Sequence, residues 1–415
     1  MNRSHIHWPC LPLSEAFWFQ EGPGVRKWQF TNSGIKLLNV GNIEKEGTLN
    51  LAKTDRHLSE EEVANKYSHF LVDAGDLVIA SSGISFDDDG FLRTRGAFVE
   101  KHQLPLCLNT STIRFKAIEG VSDLCFLRFW LNGHEFRSQI TKLVTGTAQQ
   151  NFGPSHLKAI KITLPPLKEQ QRIADVLIRA EELRSKRREA IAQLDTLTQA
   201  IFIEMFGDPA ANPKGWPVQP VSKYVAEFQG GKSIESESGE NILTINRILK
   251  VSAVTGMKFL AHESKPVPDS YTPPLAHFVR PGDLLFSRAN TTELVGAVAY
   301  VESTPSNLLL PDKLWRFVWQ KPPMTEPLFV WALFQTPAIR YEISRRATGT
   351  SGSMKNISQQ KVFGITTIIP PLPIQQEFAH RVEAVEKLKA SHRGSLSELD
   401  ALFASLQHRA FRGEL

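Results

Sequence analysis

The sequence predicts an α/β protein in which two similar mixed α/β domains are separated by two long helices forming an antiparallel coiled coil. Three observations carry this reading. An ordered series of motifs occurs twice along the 415 residues. Two proline-free stretches repeat apolar residues in steps of three and four. The two kinds of segment alternate, and small drifts in motif spacing are what loop insertions in a duplicated unit produce.

The first domain spans residues 1–167. Trp8-Pro9, Pro12 and Ser14 near its start recur as Trp216-Pro217, Pro220 and Ser222. Ile35 to Ile43 reads as a strand, and Gly34, Leu38, Val40 and Ile43 match Gly239, Leu243, Ile245 and Ile248. Gly75-Asp76-Leu77 opens an apolar run to Ala80, the pattern of a short buried strand. Residues 123–144 alternate at helical spacing and predict one helix. Thr145-Gly146-Thr147, Asn151 and Leu164-Pro165-Pro166-Leu167 close the domain.

Residues 168–206 form the first long helix, with a narrow seam at Ile173, Leu177, Ala180, Leu183, Ile191, Leu194, Leu197, Ile201 and Met205. The Pro-Pro pair upstream prevents an earlier start. Such a helix is about 58 Å long at 1.5 Å per residue. Gly207, Pro209, Pro213, Gly215 and Pro217 stop it and begin the linker to the second domain, residues 207–372. That domain repeats the first: Ile242 to Ile248 as a strand, Gly282-Asp283-Leu284 opening a strand to Ser287, one helix over 325–346, then Thr348-Gly349-Thr350, Asn356 and Ile369-Pro370-Pro371-Leu372. Residues 373–415 form the second helix, with Phe378, Val382, Val385, Leu388, Leu396, Leu399, Leu402 and Leu406 on its seam. Two narrow stripes on helices of nearly equal length pack best on each other, antiparallel. The seam breaks at Arg184, Lys186, Arg187 and Arg188, mirrored by His392, Arg393 and Gly394. That break reads as a solvated kink or as a subunit-docking surface made by Arg184, Arg187, Arg188 and Arg393.

Composition narrows the classes. Hydrophobic residues make up 41% of the chain, too many for a disordered one. Cys10, Cys107 and Cys125 form no CxxC pair, so a reducing compartment is the simpler expectation over a disulfide or zinc scaffold. No apolar run is long enough to span a bilayer, and the N-terminus lacks a signal-peptide pattern, so a cytoplasmic protein without membrane contact is expected. The net charge of +5 sits in the domains. Lys and Arg exceed Asp and Glu by one in residues 1–167 and by four in 207–372, and they balance in both helical stretches.

Catalytic patterns fail one by one. Phe228 to Ser233 ends like a phosphate-binding loop, but Ala226 stands where the first glycine is needed. Asp87-Asp88-Asp89-Gly90 could hold a divalent cation in a nuclease, yet three acids before glycine read first as a solvated turn, and the second copy has no such cluster. There is no HExxH and no GxSxG. Two equal copies of a domain without catalytic residues point to binding; a coiled-coil scaffold for protein interactions is the alternative.

Leu164-Pro165-Pro166-Leu167-Lys168-Glu169-Gln170-Gln171-Arg172-Ile173-Ala174, leading into a long helix, resembles the central region of type I restriction-modification DNA specificity (S) subunits. Ile369-Pro370-Pro371-Leu372-Pro373-Ile374-Gln375-Gln376-Glu377 is similar to its C-terminal counterpart, with Ile374 where the first copy has Glu169. The Gly-Asp-Leu strands and Gly146 to Asn151 fit the target-recognition domains of that family. The resemblance covers essentially the whole chain. It implies a non-catalytic subunit that binds a bipartite site on double-stranded DNA, one domain per half-site. The helices would then hold the domains apart, on an upper scale of about 17 base pairs, and dock two methylation subunits. S-adenosylmethionine would act on adenine in those partners, and restriction subunits using ATP and magnesium would join to complete a nuclease; no cofactor is expected in this chain.

Side chains on base edges read sequence, while Lys, Arg and hydroxyls on phosphates set register. The candidates for those tasks are Ser81, Ser82, Arg93, Arg95, Lys142, Gln149 and Asn151 in the first domain. In the second they are Ser287, Arg288, Asn290, Lys313, Arg345, Arg346 and Lys355.

Overall fold

The chain packs as two units, residues 1–188 with 395–415 and residues 189–394. The computed structural model describes residues 8–45, 47–83, 85–86, 92–144, 151–234, 245–268, 270–349 and 354–415. Each long helix is thus divided between the units, whereas the sequence boundaries set the helices apart from both domains.

In the first unit a four-stranded antiparallel sheet runs in the order Phe17–Glu21, Thr112–Ala117, Leu77–Ala80, Gly96–Phe98. Leu77–Ala80 is buried along its whole length because each face of the sheet has its own core. Leu77 and Ile79 join Phe126, Trp130 and Ile173, while Val78 and Ala80 join Leu38 and Leu106. Successive side chains point to opposite faces, so burial on both sides turns alternation into the continuous apolar run seen after Asp76. A three-stranded sheet, His57–Leu58, Ile35–Leu38 and Leu106–Leu108, covers the outer core, and its last two strands are parallel. Cys10–Pro12 pairs with Lys161–Thr163, bringing the chain start to the entry of the long helix.

The second unit repeats this plan. Its four-stranded sheet is ordered Val225–Gly230, Leu314–Trp319, Leu284–Ser287, Val298–Tyr300. Ser264–Pro266, Arg247–Leu249 and Leu308–Leu309 form the outer sheet, and Val218–Pro220 pairs with Thr366–Ile368. One expected match shifts. Lys36 faces Leu106 and Arg247 faces Leu308, so Arg247 is the counterpart of Lys36. Strand register follows the pairing partner, so the match of Ile43 with Ile248 is displaced, and Gly239 and Leu243 lie outside the described residues.

Each expected single helix is two. Leu124–Leu131, capped by the Asp123 carboxylate, is followed by His134–Leu143, and Pro327–Gln335 by Pro337–Arg346. Pro337 lacks an N–H and drives Thr336 into an extended conformation (ψ 145°), which ends the ladder. Gly133 takes the same extended place in the first unit (ψ 160°).

Buried arginines account for the Gly-Asp-Leu motif. Arg114 lies 3.6 Å from Asp76, and Arg316 lies 2.8 Å from Asp283. Each guanidinium also donates to carbonyls beneath its sheet, those of His69 and Leu71 or of Ala276 and Phe278.

The long helices are Leu167–Phe206 and Leu372–Ala410, unbroken through the arginine-rich stretch. A buried glutamine amide fixes the start of each. Gln170 Oε1 accepts from Asp123 N at 2.9 Å, and its Nε2 donates to Pro165 O at 2.8 Å and Val121 O at 2.9 Å. Gln375 repeats the set with Glu326 N at 2.9 Å, Pro370 O at 2.7 Å and Met324 O at 3.3 Å. Both side chains are fully buried. This contact explains the repeated Pro-Pro-Leu-x-x-Gln-Gln: the first glutamine ties the helix to the helical hairpin of its domain.

Within each unit the helices run antiparallel. In the first, Arg172 donates to Leu415 O and Arg184 Nε lies 2.6 Å from Asp400; in the second, Lys389 lies 3.4 Å from Asp195. Burial alone would raise Asp195, but hydrogen bonds from Lys258 and Lys389 hold its carboxyl below the usual range. Arg184 and Lys389 hold matching positions in the two copies, as do Asp195 and Asp400. Parallel pairing would set cation on cation and acid on acid, so the charges select the antiparallel arrangement.

The seam itself differs from expectation. Leu183, Leu197, Leu388 and Leu402 are exposed by 39–55%. The buried and half-buried line runs instead through Ala180, Arg184, Arg187, Ile191, Leu194, Thr198, Ile201 and Met205, and through Val385, Lys389, His392, Leu396, Leu399, Phe403, Leu406 and Ala410. The steps of three and four continue without interruption, and polar residues occupy them where an apolar pattern appears to break. The break is a polar layer of one continuous seam.

Gln170→Leu removes the amide and leaves the Asp123 N–H with the Val121 and Pro165 carbonyls unmet. A loss of about 1–3 kcal/mol for each unmet buried group is expected as a lowered urea midpoint, with Gln375→Leu behaving alike. Asp400→Arg should also destabilise, and adding Arg184→Asp should restore about 1 kcal/mol of the loss in a double-mutant cycle. Additive effects there would remove the pair from the register argument.

Candidate nucleic-acid interface

In the second unit, strand Leu284–Ser287 leaves its sheet and continues through Arg288 into Ala289–Asn290, which pairs with Lys355–Asn356. Arg288 N donates to Lys313 O at 3.0 Å, and Arg288 O accepts from Ile357 N at 3.0 Å. Thr348 and Asn356 exchange both backbone bonds at 2.8 Å, closing the base of a hairpin whose residues 350–353 lie outside the described ones. Arg345 and Arg346 end the helix that feeds this hairpin. Arg288, Asn290, Lys313 and Lys355 therefore sit on segments bonded to one another, with the two arginines just ahead in the chain.

The side chains differ in what they offer. Lys313 is exposed. Lys355 Nζ donates to Gly349 O at 3.0 Å, a neutral partner. Arg345 and Arg346 share Glu342, and their hydrogen bonds hold its carboxyl below the usual range, leaving one net positive charge on that turn. The Arg288 guanidinium lies over the Trp315 ring at 5.7 Å, its Nε buried without a partner. Asn290 Oδ1 accepts from Thr291 N at 2.9 Å.

Ser287 is a correction. It is fully buried, and its hydroxyl donates to Ala289 O at 3.3 Å. Ser81 is 1% exposed and donates to Thr110 O at 3.3 Å. Neither presents a group to a duplex. Ser81 is the counterpart of Arg288 by its backbone bonds, accepting from Phe152 N and donating to Ser111 O.

Elsewhere in the first unit Lys142 and Asn151 are exposed and Ser82 is half-buried. Arg95 is half-buried, with Nη1 3.4 Å from Ile43 O. Arg93 lies on strand Leu92–Arg93, paired with Ser85–Phe86, and its side chain is outside the described residues, as are Gln149 and Asp87 to Asp89.

One surface feature escaped the sequence reading. Arg26, Lys27 and Trp28 are exposed, Trp28 by 80%. Buried Gln29 pins this turn by accepting from Arg26 N at 2.7 Å and donating to Glu62 and Tyr67. The available signal was the Gly22-Pro23-Gly24 exit. A Cβ on Gly22 would lie 2.4 Å from Asn109 N, and one on Gly231 would lie 1.7 Å from Leu310 O. Both glycines let a strand end pass close to its neighbour, which is why Gly231 is there rather than in a phosphate loop.

Of the helix arginines, Arg184 is held by Asp400 and lies over the Phe403 ring at 4.3 Å, so its charge is used within the chain. Arg187 is half-buried. Arg188 and Arg393, at matching positions, keep half of their side chains exposed at 3.2 Å from Asp400 and 3.9 Å from Asp195.

Among the described residues no group of three His, Cys, Asp or Glu could hold a metal ion, and no helix is long and apolar enough to cross a membrane.

Comparison with known proteins agrees with the duplicated plan. Residues 30–193 match the type I restriction modification DNA specificity domain. The EcoKI type I restriction enzyme specificity subunit of Escherichia coli K12 is 28% identical over 98% of this chain and 89% of its own. The chain is thus similar along nearly its whole length to a type I restriction enzyme specificity subunit. Solved structures share this fold. A chain from a type I system studied for its assembly and conformational transition covers 99% of this chain and 99% of its own, with TM-score 0.59 and 17% identity. The type I S subunit from M. genitalium covers 99% of this chain and 97% of its own, with TM-score 0.55 and 15% identity.

If this hairpin base meets a duplex, Lys355→Ala should weaken duplex binding and lower the slope of log affinity against log salt by about 1. Ser287→Ala should change neither in the same anisotropy titrations, because its hydroxyl is buried.

Proposed function

We propose that this chain is the non-catalytic DNA sequence-specificity subunit of a type I restriction-modification system, acting in the cytoplasm of a bacterium or archaeon. Each mixed α/β domain reads one half of a bipartite target on double-stranded DNA, and the two helices serve as an antiparallel coiled-coil spacer. The observation that carries the reading is the duplication itself. Two domains of one topology each enter a long helix through the same buried glutamine, in a chain similar to a specificity subunit from end to end. Two copies of one recognition domain read two half-sites, and a helix of 40 residues, about 60 Å long, supplies separation.

The partners follow from the same reading. Two methylation subunits dock on the helices, with Arg188 and Arg393 the exposed charges offered at matching positions. Those subunits bring S-adenosylmethionine, and restriction subunits bring ATP and magnesium. In the second domain Arg288, Asn290, Lys313, Lys355, Arg345 and Arg346 form the contact surface; in the first, Lys142, Asn151 and Ser82 are the candidates on the described residues.

Mixed with its methylation subunit, S-adenosylmethionine and duplex DNA, the chain is expected to direct methylation of adenine within a split sequence, mapped by methylome sequencing. A continuous half-length motif, or no methylation, overturns the reading. The same complex should lose duplex affinity steeply as salt rises, because phosphate contacts release counterions. A protein-binding scaffold would show no such dependence.

A further inference from the structure

The duplication supplies an internal reference for how the space beside each helix pair is filled. In the first unit Phe129 of the domain and Phe403 of the second long helix meet with ring centroids 6.1 Å apart. Arg184 lies over the Phe403 ring at 4.3 Å, and Arg128 beside them pairs with Glu181. At the matching places the second unit has Ala332 for Phe129, Thr198 for Phe403, Lys389 for Arg184 and Trp331 for Arg128. Two rings are gone, and a cavity of about 590 Å³ lies there, lined by residues of the second unit alone.

Its chemistry is specific. Phe202, Phe259 and Trp331 provide aromatic wall. Thr198 is 7% exposed, and its hydroxyl is buried without a hydrogen-bond partner, an arrangement that costs about 1–3 kcal/mol unless something meets it. The Lys389 ammonium, 3% exposed and held by Glu386 at 2.5 Å and Asp195 at 3.4 Å, stands where Arg184 covers a ring in the other copy. The remaining wall is mixed, with Asp195, Lys258, Glu302, Glu386 and Arg393 also lining it, and space of this size with an aromatic side and convergent polar groups suits a small molecule.

We propose that this cavity is a binding site for a small monocyclic phenol, whose ring takes the place of the Phe129–Phe403 pair and whose hydroxyl bonds Thr198. The ring lies against Trp331 and Phe202 with Lys389 facing it, the cation–π arrangement that Arg184 and Phe403 make in the first unit.

The test uses the full-length protein and 4-fluorophenol. The melting temperature of the wild type should rise with ligand concentration, and the ligand's fluorine resonance should broaden and recover when unlabelled p-cresol is added. Thr198→Phe, which restores the first unit's ring, should abolish both signals and raise the melting temperature by itself. Trp331→Arg, which restores the first unit's arginine opposite Glu386, should also abolish binding and carries the test where Thr198→Phe does not fold. No saturable signal from the wild type at millimolar 4-fluorophenol overturns the proposal. So does unchanged binding by the folded variants.

Discussion

A buried amide stands at the junction on which the rest of the structure depends. Gln170 and Gln375 each join three backbone groups that would otherwise be unmet: the first N–H of a hairpin helix, the carbonyl before it and a carbonyl of the Pro-Pro turn. Hydrogen bonds made at a helix start, in a site closed to water, set the direction in which a 40-residue helix leaves its domain. A small angular error there becomes a large displacement at the far end. The adjacent proline pair prevents the helix from starting earlier, so the two devices together define both origin and heading.

The second constraint is electrostatic and arises from the duplication. Because the copies match, a cation and an acid on the first helix imply a cation and an acid at the same places on the second. Antiparallel packing then matches Arg184 with Asp400 and Lys389 with Asp195, each pair inside its own unit. Neither pair contributes more than a modest energy in isolation. Their value lies in the alternative they exclude, since the parallel arrangement makes both contacts repulsive. The polar seam gives up some apolar burial for that selectivity.

The two domains keep one topology and diverge where chain leaves the sheet. In the second, the strand beyond Ser287 pairs with Lys355–Asn356 and gathers basic residues at a hairpin base. In the first, the same point holds Ser81, and the chain turns instead into the hairpin Ser85–Phe86 with Leu92–Arg93. A rigid core with variable exits lets two copies present different surfaces on one topology. The mild charge of +5 has little weight in this. What matters is that most of the excess lies on the second domain, where Lys355 donates to the neutral Gly349 carbonyl.

The sequence by itself determined the duplication, the order of domain and helix and the buried Gly-Asp-Leu strands, because these depend on local period and on motifs that repeat in order. It misassigned Leu183, Leu197, Leu388 and Leu402 to the seam and Ser81 and Ser287 to the surface. Apolar residue type is a proxy for burial, and it fails where a polar residue has a partner far away in the chain. Arg184 belongs to the seam only because Asp400 and Phe403 receive it. The single helix expected over 325–346 was broken by Pro337, a signal present in the sequence and outweighed by the period. The fate of the space beside each helix pair was decided by tertiary structure alone. It depends on which residues of a helix face which residues of a domain, so only packing shows that Phe129 and Phe403 fill in one unit what Ala332 and Thr198 leave open in the other.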